Sequence, residues 1–328
     1  MNLFEQQASN RRRTWAVMAV FVAFLFFLGY GFDRFYLGGG AMPFPVGSVI
    51  ALTVGGLSAS SSYYAGDRAV LLSTGAVKIE EIGAAATEQD KLKYRQLENV
   101  VDEMSIAAGL PRPKIYVVPD PDPNAFATGR DPEHASIAVT KGLLDMVNRD
   151  ELQGVVAHEL SHVRNLDIRL MTVIAAMVGA AALIADWTTR GLRMGGGSSR
   201  GRSRDEKGGG GVLVLILFAL WLLAVVLAPV IGQSLAMMVS RKREYLADAS
   251  GAELTRNPSA LASALQKIDD ATAPTVSVKR GTAHLCIADP LGRTIGLKEG
   301  GWANLMASHP PMANRIAALR EMAFQTSR

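Results

Sequence analysis

The chain carries a single cysteine, Cys286, among 328 residues. No intrachain disulfide can form, which excludes a disulfide-stapled scaffold and suits a reducing compartment. Such a lone cysteine reads as a small buried hydrophobe and not as a nucleophile. Histidine is also scarce, with five residues, so two of them at a metal-ligand spacing carry information. Net charge is only +4, and much of that basic excess flanks apolar runs. Nucleic-acid binding is therefore a poor reading of it, and no nucleic-acid partner is expected. Several long stretches lack charge altogether. Hydrophobic residues reach 49%, and mean hydropathy is +0.17. That balance is high for a soluble protein and ordinary for one embedded in a bilayer.

Against that background, His158-Glu159-Leu160-Ser161-His162 stands out. On a helix, residues four apart lie on one face, so His158 and His162 present their imidazoles together. Two such rings can hold a zinc ion, one per chain, and Glu159 is then placed to take a proton from water. Leu152, Val155, Val156, Leu160 and Val163 supply an apolar helix face, and Asp150 with Gln153 is expected to cap its start. Catalytic zinc usually has three protein ligands. The variant with a third histidine after a glycine would need Gly at 165 and His at 168, where this chain has Asn165 and Ile168. A carboxylate on a second helix is the alternative. Glu244 and Asp248 stand one turn apart, so Glu244 would bind the metal and Asp248 would orient His158.

These two motifs together resemble the HtpX-type membrane zinc endopeptidases, distant relatives of the prenyl-protein CAAX protease. The passage Asn124-Ala125-Phe126-Ala127-Thr128-Gly129 and the tail Ser308-His309-Pro310-Pro311 resemble the same family, in the same order. The resemblance implies an α-helical integral membrane protein with an α+β, zincin-like protease domain. It implies that Asn124, Ala125, Phe126, Ala135 and Ile137 lie by the cleft, beside a strand edge to which an extended peptide can pair. It also implies that His309 hydrogen-bonds the developing oxyanion, with Arg315 a weaker candidate for the same region. The implied substrates are misfolded or damaged membrane proteins, in a stress response of the inner (plasma) membrane. His134 and His284 fall outside every motif and read as structural.

The apolar stretches divide the chain. Residues 1–66 read as a membrane hairpin with segments at about 14–32 and 42–62. The first follows Arg11, Arg12 and Arg13 and has no A-x-A-like cleavage site, so it reads as an uncleaved anchor. Its Val, Leu and Phe residues each favour insertion by about 0.3–0.6 kcal/mol. Tyr63 and Tyr64 are expected at an interface. Residues 67–167 form the first part of the protease domain, with a helix over Asp90–Ala108, strands at Lys114–Val118 and Ala135–Thr140, and a loop at Asp120–Arg130. A second hairpin, 168–240, has segments at about 168–188 and 211–238 around a Gly/Arg-rich linker at 191–211. The histidine helix is expected to run straight into its first segment. Residues 241–328 complete the protease domain, with an amphipathic helix over Ala260–Ile268.

Two motifs in the linker mislead. Gly197-Ser198-Ser199-Arg200-Gly201 matches G-x-S-x-G, but neither a strand nor a helix flanks it, so it is no nucleophile elbow. The Arg/Gly/Ser mixture resembles RNA-binding tails, and membrane-flanking charge explains it as well. Topology then follows from charge. If four segments span, Arg11–Arg13 and Arg241–Arg243 are both cytoplasmic, although the basic linker at 190–207 would then lie outside. The family resemblance and the lone cysteine favour an active site facing the cytoplasm. A scaffold that has lost turnover would have no need of Glu159, and a zinc transporter would bury its ligands inside a span. Here they stand at segment ends.

Overall fold

A computed structural model describes residues 3–35, 45–82, 86–177, 241–271, 285–288 and 310–326. They are mostly helical, with one mixed sheet. The expected segment at 211–238, the linker at 191–211, His284 and His309 lie outside the described residues.

The chain divides into two units. One comprises Trp15–Ser61 and Met177–Leu235. Its described part is built from α1 (Leu3–Phe35) and α2 (Val46–Ser73), which also extend beyond it. The Asp33 carboxylate accepts the N–H groups of Gly47 and Ser48 at 2.6 and 2.7 Å and the Ser48 hydroxyl at 2.6 Å, capping the start of α2. A Cβ on Gly29 would come within 2.5 Å of the Gly47 carbonyl, so glycine is what lets the two helices approach. Trp15, Val20, Phe26, Phe27 and Tyr30 on α1, and Val49, Ile50, Leu52, Val54 and Leu57 on α2, are exposed. Among the described residues one helix, over Gln7–Gly31, is long and apolar enough to cross a membrane; the Gly- and Ser-rich α2 is not.

The other unit comprises Met1–Thr14, Ser62–Ala176 and Ala236–Arg328. After β1 (Val77–Lys78) and α3 (Ile79–Ile82), α4 spans Glu88–Ala108. Thr87 accepts the Asp90 N–H at its start, and Gly109, at φ +66°, closes its end before the prolines. Its buried face is Tyr94, Leu97, Val100, Val101 and Met104, whereas Leu92 is 66% exposed. Strands β2 (Lys114–Val118), β3 (Ala125–Thr128) and β4 (Ser136–Thr140) follow, and the sheet order is β1-β2-β4-β3. β2 and β4 run parallel, and both outer strands pair antiparallel.

Two expectations change here. The Asp120–Arg130 passage is not all loop, because its centre pairs with β4 as a strand. Four residues in a row, all buried, show no alternation of burial, so the period-2 signal is absent. The edge strand on this side is therefore β3, and the strand at Ala135–Thr140 is interior.

After α5 (Lys141–Met146) comes α6 (Arg149–Arg164), the helix at the centre of the core. Its capping box is Asn148 with Glu151, not Asp150 with Gln153: Asn148 Oδ1 accepts the Glu151 N–H at 2.9 Å and Glu151 Oε2 accepts the Asn148 N–H at 2.8 Å. Both pairs fit the same spacing rule. Lys267 and Ser263, on a later helix, also bond Glu151, at 2.7 and 2.6 Å, which favours the earlier register.

Nor does α6 run on. The chain turns at Asn165 and Leu166 and resumes as α7, described over 167–177. Leu166 takes φ +58°, a left-handed conformation that costs a non-glycine residue roughly 1–2 kcal/mol. Packed around α6 are α4, β3, α8 (Arg241–Thr255) and α9 (Pro258–Asp270), with α10 (Met312–Thr326) against α9.

Candidate metal centre and active site

Helix α6 presents His158, Glu159 and His162, all buried, toward α8. On α8, Glu244, Asp248 and Gly251 recur at one-turn spacings and face back. A Cβ on Gly251 would lie 3.1 Å from the backbone nitrogen of His158, so glycine here permits the close approach of the two helices. That approach brings a ligand atom from each of His158, His162 and Glu244 within 4.8 Å of one another. The two Nε2 atoms are 3.3 Å apart, and the Glu244 oxygens stand 3.8 Å from His158 Nε2 and 3.7 Å from His162 Nε2.

Those distances suit zinc. With bonds of about 2.0–2.1 Å in a tetrahedral arrangement, ligand atoms stand roughly 3.3–3.4 Å apart. Electrostatics points the same way. His158 Nδ1 is 2.9 Å from Asp248 Oδ1, and His162 Nδ1 is 3.2 Å from Asp167 Oδ2. A proton on each Nδ1 serves its carboxylate, which turns two Nε2 lone pairs and a carboxylate onto one point. That donor set fits a metal cation. Burial opposes charge on His162, yet the Asp167 hydrogen bond and the Glu244, Asp167 and Glu159 charges raise it to about 9. Burial instead keeps His158 below its ordinary value, with Arg315 and His162 adding to that against Asp248.

Glu159 does not join the ligand cluster. Burial, with the Glu244 charge, lifts its carboxyl to about 7, while His162, the Ala127 N–H and Arg315 hold it down. Its Oε1 has no hydrogen-bond partner among the described residues. A carboxylate poised near neutrality with one oxygen unspent is suited to taking up a proton.

Behind the ligands lies a layer that the sequence disclosed only in part. Arg315 is fully buried, and it grips Asp248 from both sides: Nε to Oδ2 at 2.8 Å and Nη2 to Oδ1 at 2.7 Å. Its Nη1 donates to the Ile287 carbonyl at 2.7 Å and lies 3.5 Å from Glu244 Oε2. Burial alone would raise the Asp248 carboxyl, but Arg315 and His158 bring it to about 2. Arg315, the weaker candidate for the oxyanion region, gives its donors here to Asp248 and the Ile287 carbonyl. Neither sequence motif includes Asp167. Its only advance sign was an Asn-Leu-Asp run after the motif, and nothing in the helical period marks a left-handed Leu166.

Asn124, Ala125, Phe126, Ala135 and Ile137 are all buried in or beside the β3–β4 pair. Asn124 Nδ2 donates to the Ala288 carbonyl at 3.1 Å, and the Ala125 carbonyl accepts the Ile287 N–H at 2.9 Å. Part of the outward side of β3 is thus taken by residues 285–288, which include the buried Cys286. His134 is bonded to Arg130 and Asp131, away from the cluster.

Comparison with known proteins agrees with the geometry. Residues 91–323 match the model of peptidase family M48. A protein named protease HtpX homolog from Caldanaerobacter subterraneus subsp. tengcongensis is 40% identical over 321 residues, 98% of each chain. Another of that name from Streptococcus gordonii is 38% identical over 98% of this chain and 100% of its own. The crystal structure of S. mikatae Ste24p is similar over 96% of this chain and 67% of that one, at 16% identity and a TM-score of 0.47.

Proposed function

This chain belongs to peptidase family M48 and is a metalloprotease, and we propose that it is a membrane-bound zinc endopeptidase acting on misfolded or damaged membrane proteins. The observation that carries the reading is the convergence of His158, His162 and Glu244, with each imidazole backed by a carboxylate. These three residues would hold the ion. Zinc, when bound, supplies a Lewis acid that polarises the scissile carbonyl and acidifies a water molecule. Glu159 takes the proton of the attacking water on Oε1 and returns it to the departing nitrogen. The Ala127 N–H keeps the other side of that carboxylate in place. His309 donates a hydrogen bond to the oxyanion. Asn124, Ala125, Phe126, Ala135 and Ile137, with side chains buried, contribute through the backbone of the β3–β4 pair that a peptide lies along.

Membrane attachment rests on the Gln7–Gly31 helix and on the exposed apolar side chains of both α1 and α2, which call for an apolar surrounding. We read the chain as multi-pass, with hairpins at 1–66 and 168–240, the protease domain split between 67–167 and 241–328, and the active site on the cytoplasmic side of the inner membrane. The deciding experiment pairs metal analysis with degradation of a model membrane substrate in liposomes. Glu159→Gln should keep its zinc and lose hydrolysis. Parental activity in that variant would sink the mechanism.

A further inference from the structure

The N-terminal helix reaches the metal centre through one side chain. Asn10 is buried on α1, ahead of the arginines at 11–13. Its Nδ2 donates to the Asn165 carbonyl at 2.9 Å and to Asp167 Oδ1 at 2.7 Å. An amide nitrogen carries two N–H groups, so both are spent at the turn that ends the histidine helix. One neighbour reaches the same turn, Gln7 Nε2 donating to the Arg164 carbonyl at 2.7 Å, while the buried Thr14 hydroxyl donates within the helix to the Asn10 carbonyl at 2.9 Å. Asp167 Oδ1 also lies 3.3 Å from Arg243 Nη1, while Oδ2 faces His162 Nδ1 at 3.2 Å.

We infer that Asn10 is a positioning residue for the metal centre, acting through Asp167 on the ring of His162. The inference rests on the zinc reading above. Asp167 is completely buried and follows directly on a left-handed residue, so its rotamer is not dictated by a helix on its N-terminal side. Arg243 supplies charge to Oδ1 from a distance near the limit of a hydrogen bond. Asn10 supplies the short, directed contact that decides which oxygen turns to His162. The Asn10–Asp167 contact and metal affinity are thereby coupled, across more than 150 residues of sequence.

The test measures zinc affinity of the full chain in detergent, by competition with a fluorescent chelator, beside the thermal midpoint of the metal-free protein. Asn10→Leu keeps the shape and removes both donors; zinc binding should weaken about tenfold, the lower end for a group behind a ligand. Asn10→Asp sets a second carboxylate against Asp167 and should weaken it further. Gln7→Leu loosens the same helix without touching Asp167, and should leave zinc affinity within about twofold of the parent. In an Asp167→Asn background, Asn10→Leu should cost little more, since the contact it removes is already altered. Additive losses in that double variant, or equal losses from Gln7→Leu and Asn10→Leu, would overturn the inference and leave the zinc site standing. A parent chain that binds no zinc would remove the functional reading itself.

Discussion

The two histidines of the site stand one turn apart on one helix, yet different parts of the chain hold them. His158 is backed by Asp248, which Arg315 clamps with two hydrogen bonds from the last described helix. His162 is backed by Asp167, only five residues on, which Asn10 and Arg243 hold from the first helix and from α8. Their electrostatics differ accordingly. Burial keeps the His158 ring below its ordinary pKa, and the Arg315 charge behind Asp248 adds to that. The His162 side is richer in negative charge, and that ring is pushed up to about 9. One side resists protonation and the other invites it. Two differently built supports around one point make a site whose halves can be broken separately.

The largest effect should come from the residue facing both halves. Glu244→Ala should lose zinc outright by metal analysis after dialysis, exceeding the roughly 10–100-fold typical for groups behind a ligand. Parental zinc content would remove Glu244 from the ligand set. Next is Arg315→Met, which leaves the buried Asp248 carboxylate unclamped and should cost about 3–5 kcal/mol of metal-free stability in urea titrations. Arg243→Met, with Asn10 still on Asp167, should cost about 1–2 kcal/mol. Equal losses would mean that the two supports are not built differently after all.

Zinc competition then compares the carboxylates directly. Asp248→Asn and Asp167→Asn should each weaken binding about 10–100-fold, with Asp248→Asn the worse because it also strands Arg315. The reverse order would make the His162 side dominant. The smallest effect concerns Glu151, outside both halves. Burial pushes its carboxyl up, but Lys267, Ser263 and the Asn148 N–H outweigh that and hold it below 4.5. Its contribution is therefore complete above about 4.5 and is lost as pH falls through the lower folded value. Glu151→Gln should cost about 1–2 kcal/mol at pH 7 and flatten the acid limb of a stability curve. An acid limb identical to the parent's would show that other carboxyls control it.

What the sequence by itself determined was whatever depends on spacing along one helix. His158 and His162 share a face because 3.6 residues make a turn, and Glu244 and Asp248 do for the same reason. Helix α4, the central turns of α9 and the strands β2 and β4 were legible from apolar period and turn residues, while the pairing of the strands was not. Three features were decided by tertiary structure alone. Asp167 reaches His162 only because Leu166 accepts a left-handed conformation, a local cost repaid by packing and by the contacts of Asn10 and Arg243. β3 is a strand because β4 offers it a ladder, while its four buried residues lack any alternation. Arg315 turns to Asp248 because a buried carboxylate needs a cation, and no spacing rule joins residues 248 and 315. Periodicity is a property of one element; a charge and its partner belong to the whole fold.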